Sequence, residues 1–344
     1  MIWLAWRQFR AQAAVGAGTL LVVIVVGITS RWRLDGLYAS SGIAHCAARG
    51  DCAAKTSSFL NQVNGSLLNH LPLLLGTVLV AVPAVISMFW GAPVISSELD
   101  TGTYRLAWTQ SVTRSRWLSL KLGLVGFGGL GVAAAFSWTV TWSADPIDQM
   151  SLGRILPATF SERGIVPVGY AAFGVAFAVA AGTLIRRPIA TMGVTLAVLT
   201  AAEVVARWIR PHLMSPVRTL LPISPGDISG IGIHMLRSGT GVLNLTGTVS
   251  TAGRWVLANQ IVNAAHQPVN GIPLSATGPL SVQSCALSRA LSCLPYVAQH
   301  GYQELVTYQP ASRFWDLQVR ETAIFLGLAL ALTVFSFWRI RRLS

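Results

Sequence analysis

Acid–base, nucleophilic and metal chemistry in this chain falls to a small set of side chains: six histidines, twelve carboxylates and four cysteines among 344 residues. Their spacing assembles no reaction centre. His45, His70, His212, His234, His266 and His300 are scattered, and no H-E-x-x-H pair places two imidazoles on one helical face. Cys46–Cys52 and Cys285–Cys293 lack C-x-x-C spacing, and His45 beside Cys46 is a lone neighbour. No metal site and no catalytic residue is expected. The G-x-x-x-x-G-K-[ST] loop that cradles nucleotide phosphates is also missing. The two lysines, Lys55 and Lys121, stand in no glycine-rich context.

The rest of the composition says where these residues sit. Charged residues are 11% of the chain and hydrophobic ones 53%, against about 25% charged in soluble domains. Mean hydropathy is +0.57. The apolar excess is gathered into long uncharged runs, which predicts a polytopic membrane protein, since a spanning helix needs roughly 20 apolar residues. Six runs qualify. They lie between Arg10 and Arg31, from Leu71 to Ser97, between Lys121 and Asp145, between Arg163 and Arg186, from Pro188 to Glu203, and between Glu321 and Arg339. The net charge of +13 comes from arginines standing singly or in pairs at the ends of these runs. That pattern fits topology and contact with the lipid bilayer rather than nucleic acid.

Six crossings put both termini on one side. The short segments on that side (1–10, 94–121, 186–188 and 339–344) concentrate arginine near helix ends, which predicts cytoplasmic termini and a cell-membrane location. Residues 1–10, MIWLAWRQFR, set Ile2, Trp6 and Phe9 opposite Arg7 and Arg10. This is the pattern of an interfacial amphipathic helix, and the alternative is a simple extension of the first span. A cleaved signal peptide competes for the first run, but TSRWR follows its apolar core where a small-x-small site would stand. Residues 11–207 then hold spans one to five, with an extracellular loop at 31–70. Residues 208–320 form a glycine- and proline-rich extracellular domain expected to be loop-rich, and 321–344 the sixth span and a basic tail. The fold class is therefore all-α, with six transmembrane helices and that one domain before the last. All four cysteines fall on the outside segments, which argues for disulfides in an oxidising compartment, with the pairing left open.

Two places carry functional promise. Glu203 is the one charge well inside an apolar run, where a carboxylate costs about 2.5–3.5 kcal/mol on insertion scales. Arg207 is one turn on, so either an i,i+4 ion pair or a place in a transport path is expected. The second place is Ser96–Lys121, SSELDTGTYRLAWTQSVTRSRWLSLK, far longer than a span connection needs. Ser96 and Ser97 are expected to cap a short helix, with Glu98 and Asp100 at its positive end and Gly102 breaking it. Tyr104, Leu106 and Trp108 then offer an apolar surface.

This segment resembles the loop between spans two and three of ABC-2 type ABC transporter permeases. Glu98 stands four residues before Gly102-Thr103, then come Leu106, a small-residue turn with Arg114, and Lys121. Gln110 departs from the proline many members carry. The closing stretch from Tyr308 resembles the last span of the same family. The resemblance implies the permease half of an exporter for a hydrophobic or amphipathic substrate. Glu98, Asp100, Gly102, Thr103, Tyr104, Arg105 and Leu106 would then form a coupling helix. Its seat would be a separate ATPase subunit present in two copies, which binds ATP and Mg, and a second permease chain would complete a homodimer or heterodimer. No cofactor would be held by this chain. The competing reading is a membrane sensor whose extracellular domain reads a ligand.

Overall fold

The computed structural model describes residues 2–42, 53–65, 70–105, 113–148, 153–223, 228–235, 241–247, 253–275 and 297–342. Cys46, Cys52, Cys285, Cys293 and Leu106 lie outside the described residues. The chain divides into two units: residues 1–213 with 314–344, and residues 214–313.

The first unit is helical. Its elements are α1 (Ile2–Ser41), α2 (Ala53–Asn64), α3 (Leu71–Ile86), α4 (Ala92–Thr101), α5 (Arg114–Ile147), α6 (Pro157–Phe160), α7 (Val166–Ile185), α8 (Pro188–Ile209) and α9 (Phe314–Arg341). A π-helical stretch, Ser87–Gly91, joins α3 to α4 without a break. Among the described residues, six helices are long and apolar enough to cross a membrane: Arg10–Ser41, Leu73–Thr101, Arg114–Ile147, Val166–Ile185, Pro188–His212 and Ala311–Arg341. They correspond to the six apolar runs; the third and sixth extend beyond both ends of their runs, while Val166–Ile185 lies within its own. A bilayer offers no water to backbone groups, so each run closes its hydrogen bonds within one helix. Residues 2–10, expected as a separate interfacial helix, are the first turns of α1, with no interruption at Arg10.

The fourth span is the centre of this unit. Its apolar window is 78% buried, whereas the other five lie between 22% and 33%. Glycine and alanine make this possible, because small side chains let backbones approach. In its N-terminal turns Tyr170 and Phe173 pack on Phe325 of α9, with ring centroids 4.3 and 5.5 Å apart. Of the glycines that crowd α5, Gly129 is buried, and a Cβ there would meet Ile86 at 2.7 Å. Gly123, Gly126 and Gly131 face open space.

The second unit differs from expectation. Among the described residues, the stretch read as loop-rich carries six strands, β1 (Val217–Pro222), β2 (Ile228–Met235), β3 (Gly241–Gly247), β4 (Arg254–Val262), β5 (Ile272–Leu274) and β6 (Gln303–Pro310). They form two antiparallel sheets in the orders β1-β6-β4 and β2-β3-β5. Leu243, Ile272, Leu274 and Val297 are buried together. Frequent glycine and proline mask short strands, whose alternation is brief beside that of a helix.

Candidate functional site

The segment expected to couple is built on the end of span two. Ser96 and Ser97 do not cap a helix start, as the sequence reading supposed. They lie in the last turns of α4, and their hydroxyls donate back to the carbonyls of Ala92 (2.6 Å) and Pro93. The apolar run and the polar residues after it form one continuous helix, so Glu98 and Asp100 sit at its C-terminal end. Gly102 ends it with φ +73°, a left-handed geometry that costs other residues roughly 1–2 kcal/mol. The Thr101 hydroxyl donates to Ser97 O at 2.9 Å and lies 3.1 Å from the Thr103 hydroxyl, while Arg105 N donates to Gly102 O. Thr113 then caps α5, its hydroxyl accepting from Arg116 N. That helix begins about two turns before Lys121.

Glu98 points inward. Its carboxylate takes Lys121 Nζ at 2.6 Å, with side chains 16% and 8% exposed, and accepts from Trp117 Nε1 at 3.2 Å. Lys121 also donates to Val94 O (3.0 Å) and lies 5.1 Å from the Trp117 ring centroid. Ile95, Leu99, Trp117, Leu118, Val179 and Ile340 pack around this polar knot, with Tyr104 against them. Asp100, Thr101, Thr103 and Arg105 form an exposed rim. Arg105 Nε donates to the Tyr104 hydroxyl at 3.5 Å, and this contact lowers the Tyr104 pKa from its ordinary value. The site residues thus divide into a buried strut, Glu98, and a polar edge around Gly102.

A second constellation gathers at the opposite end of the helices. Arg210, just after α8, meets Glu321 of α9 through Nε (2.7 Å) and Nη2 (2.8 Å), a bidentate pair almost fully buried. Glu321 also accepts from the Tyr170 hydroxyl (2.7 Å). Arg210 donates to Ser161 Oγ (2.9 Å), and its Cζ lies 4.3 Å from the Phe160 ring centroid. Fully buried Arg163 bonds Asp148 at 3.0 Å and approaches Glu162 at 3.8 Å. Burial pushes the Asp148 and Glu162 carboxyls up, with Arg163 pulling both back. Gln318 accepts from Ile165 N and Val166 N and donates to Phe160 O and Arg163 O, so all four of its hydrogen-bonding positions are filled.

Sequence reasoning missed this second group. It used Glu321 and Arg163 as borders of apolar runs and left Arg210 in the outside segment. A signal was present: Phe314, Leu317, Gln318, Glu321, Thr322 and Phe325 fall at i, i+3, i+4, i+7, i+8 and i+11, and all are buried on one face of α9. Glu203, which drew attention instead, is half-buried on α8. Among the described residues it forms no ion pair with Arg207 within 4.0 Å. No three or more His, Cys, Asp or Glu converge as a metal site among the described residues.

Among the described residues, six membrane-length helices, with buried ion pairs joining span two to span three and span five to span six, define a multi-pass membrane protein. The chain belongs to the ABC-2 membrane transporter related family, whose model matches residues 17–210. The match runs from within the first span to Arg210 near the end of the fifth, ahead of the strand unit and the sixth helix. No curated protein and no solved structure matches the chain.

Proposed function

We propose that this chain is the permease subunit of an ATP-driven exporter for a hydrophobic or amphipathic substrate. ATP and Mg belong to a separate subunit, present in two copies, that engages residues 98–106. Two permease chains make the complex, with both termini cytoplasmic, the 214–313 unit outside the cell membrane and the four cysteines disulfide-bonded there. This chain performs no chemistry of its own. The family and the six spans support a transporter permease. The observation that carries the finer reading is the Glu98–Lys121 ion pair with its Trp117 hydrogen bond. It binds the end of span two to span three beneath an exposed edge, so a push on Asp100, Thr103 or Arg105 moves both spans together. The spans otherwise offer aliphatic and aromatic side chains, which suit an apolar cargo.

The test is co-purification of the tagged chain, expressed with its genomic neighbours and assayed for magnesium-dependent ATPase. A stoichiometric ATPase subunit, released by Asp100→Arg with Arg105→Glu, is expected. A chain that purifies alone and stays silent with each neighbouring ATPase overturns the reading. The compact strand unit favours one competitor, a sensor whose 214–313 unit binds a ligand, and that outcome would move the search there.

A further inference from the structure

Spans one, two and three enclose a groove of about 280 Å3, walled by Gly16 and Thr19 of α1, Val82, Ile86 and Trp90 of span two, and Phe136 of α5. Its floor is closed, because Ile86, Trp90 and Phe136 are buried. Its rim is open, because Val15, Val78 and Val85, which also line it, are 69%, 54% and 50% exposed. Apart from the Trp90 indole, the one polar side chain in the wall is Thr19, and its hydroxyl is spent on Val15 O at 2.9 Å. Such a space stays dry.

The groove is built rather than left over. A Cβ on Gly16 would meet the Trp90 ring at 2.7 Å, so the glycine lets that ring lie against α1. Trp90 belongs to the π stretch Ser87–Gly91, and irregular turns of this kind are frequent at functional sites. Pro93 has no N–H to give the Phe89 carbonyl. Gln12 of α1 donates to that carbonyl instead, at 3.0 Å, which ties span one to the irregular turn and sets the depth of the floor.

The rim residues lie within spans one and two, at least five residues in from Arg10 and Leu73 where those membrane-length helices begin, so bilayer hydrocarbon is what faces them. The narrow apolar body most abundant there is an acyl chain. We propose that one acyl chain of a resident membrane phospholipid occupies this groove, resting on Ile86 and Trp90 and bracing the π turn. The proposal does not depend on the transporter reading.

The experiment uses the full chain in nanodiscs of phosphatidylcholine doped with a phosphatidylcholine that carries a diazirine in its acyl chain. Peptides covering residues 12–20 and 78–90 should be labelled severalfold above the equally exposed face of α8 around Val204 and Val205. Ala81→Phe, which fills the groove from its wall, should reduce that excess to the α8 level with the melting temperature nearly unchanged. Val132→Phe, from the opposite wall, serves if the first variant fails to fold. Labelling in proportion to exposure, or an excess that survives both fillings, overturns the proposal. So does a chain-to-chain crosslink through Val85→Cys that excludes the lipid, which would assign the groove to a second copy. An excess that vanishes during ATP turnover of a reconstituted transporter would mark a transported amphiphile, and it too overturns a resident lipid.

Discussion

Lys121→Met would leave the Glu98 carboxylate in a site where its side chain is 16% exposed, with the Trp117 indole at 3.2 Å as its remaining donor. Removing one partner of a buried pair costs about 3–5 kcal/mol. The surviving indole hydrogen bond places this variant near 3 kcal/mol, on the same scale. Glu98→Leu falls toward the upper end of that range, because it strips both Lys121 and Trp117 of their carboxylate and leaves the ammonium no counter-charge, with the Val94 carbonyl at 3.0 Å and the Trp117 ring face. The double variant is expected within about 1 kcal/mol of wild type, since an apolar pair of similar volume can replace a buried ion pair without loss. Thermal unfolding of all four proteins in one detergent reads the cycle. The double variant should melt above either single one, and should still lose ATP-driven transport if the pair is the mechanical link. Single losses that simply add in the double variant would refute the buried-pair argument, and singles below about 1 kcal/mol would reduce the contact to a solvated one.

Gly102→Val forces a β-branched residue to φ +73°, and should uncouple ATPase activity from transport while membrane insertion, read by protease accessibility, is unchanged. Gln318→Leu strands two N–H and two C=O groups at the start of α7. It should cost at least about 2 kcal/mol in the same melts, whereas Gln318→Glu should retain the two accepted bonds. Glu321→Gln should destabilise by about 3 kcal/mol by leaving Arg210 buried without a counter-charge, and Arg210→Met in the same chain should recover most of it. Glu162 has a raised folded pKa, so its contribution is present at low pH and is lost as pH rises through that value. Glu162→Gln should flatten this part of the stability profile.

The six spans and the break at Gly102 were legible because each depends on local pattern: an uncharged run of bilayer length, or a glycine after a polar turn. The location of Glu98 at an N-terminal cap was misread for the same reason. Ser-Ser-Glu looks like a cap locally, and only the continuation of span two through Pro93 makes it a helix end. Arg210, Glu321, Arg163 and Gln318 were illegible as a site because their partners come from distant parts of the chain. A charge at the edge of an apolar run looks like a border until the helix beyond it is seen to pack. The strands of 214–313 escaped because glycine and proline interrupt the alternation that would have announced them.

The ion pair between Arg210 and Glu321 has a consequence for how the protein is made. The ribosome delivers the carboxylate 111 residues after the guanidinium, with the whole 214–313 unit synthesised in between. Until the sixth helix emerges, the end of the fifth has no counter-charge and must stay wet or be held by the insertion machinery. The last span therefore does more than anchor the C-terminus: its arrival is the event that lets the fifth span seal.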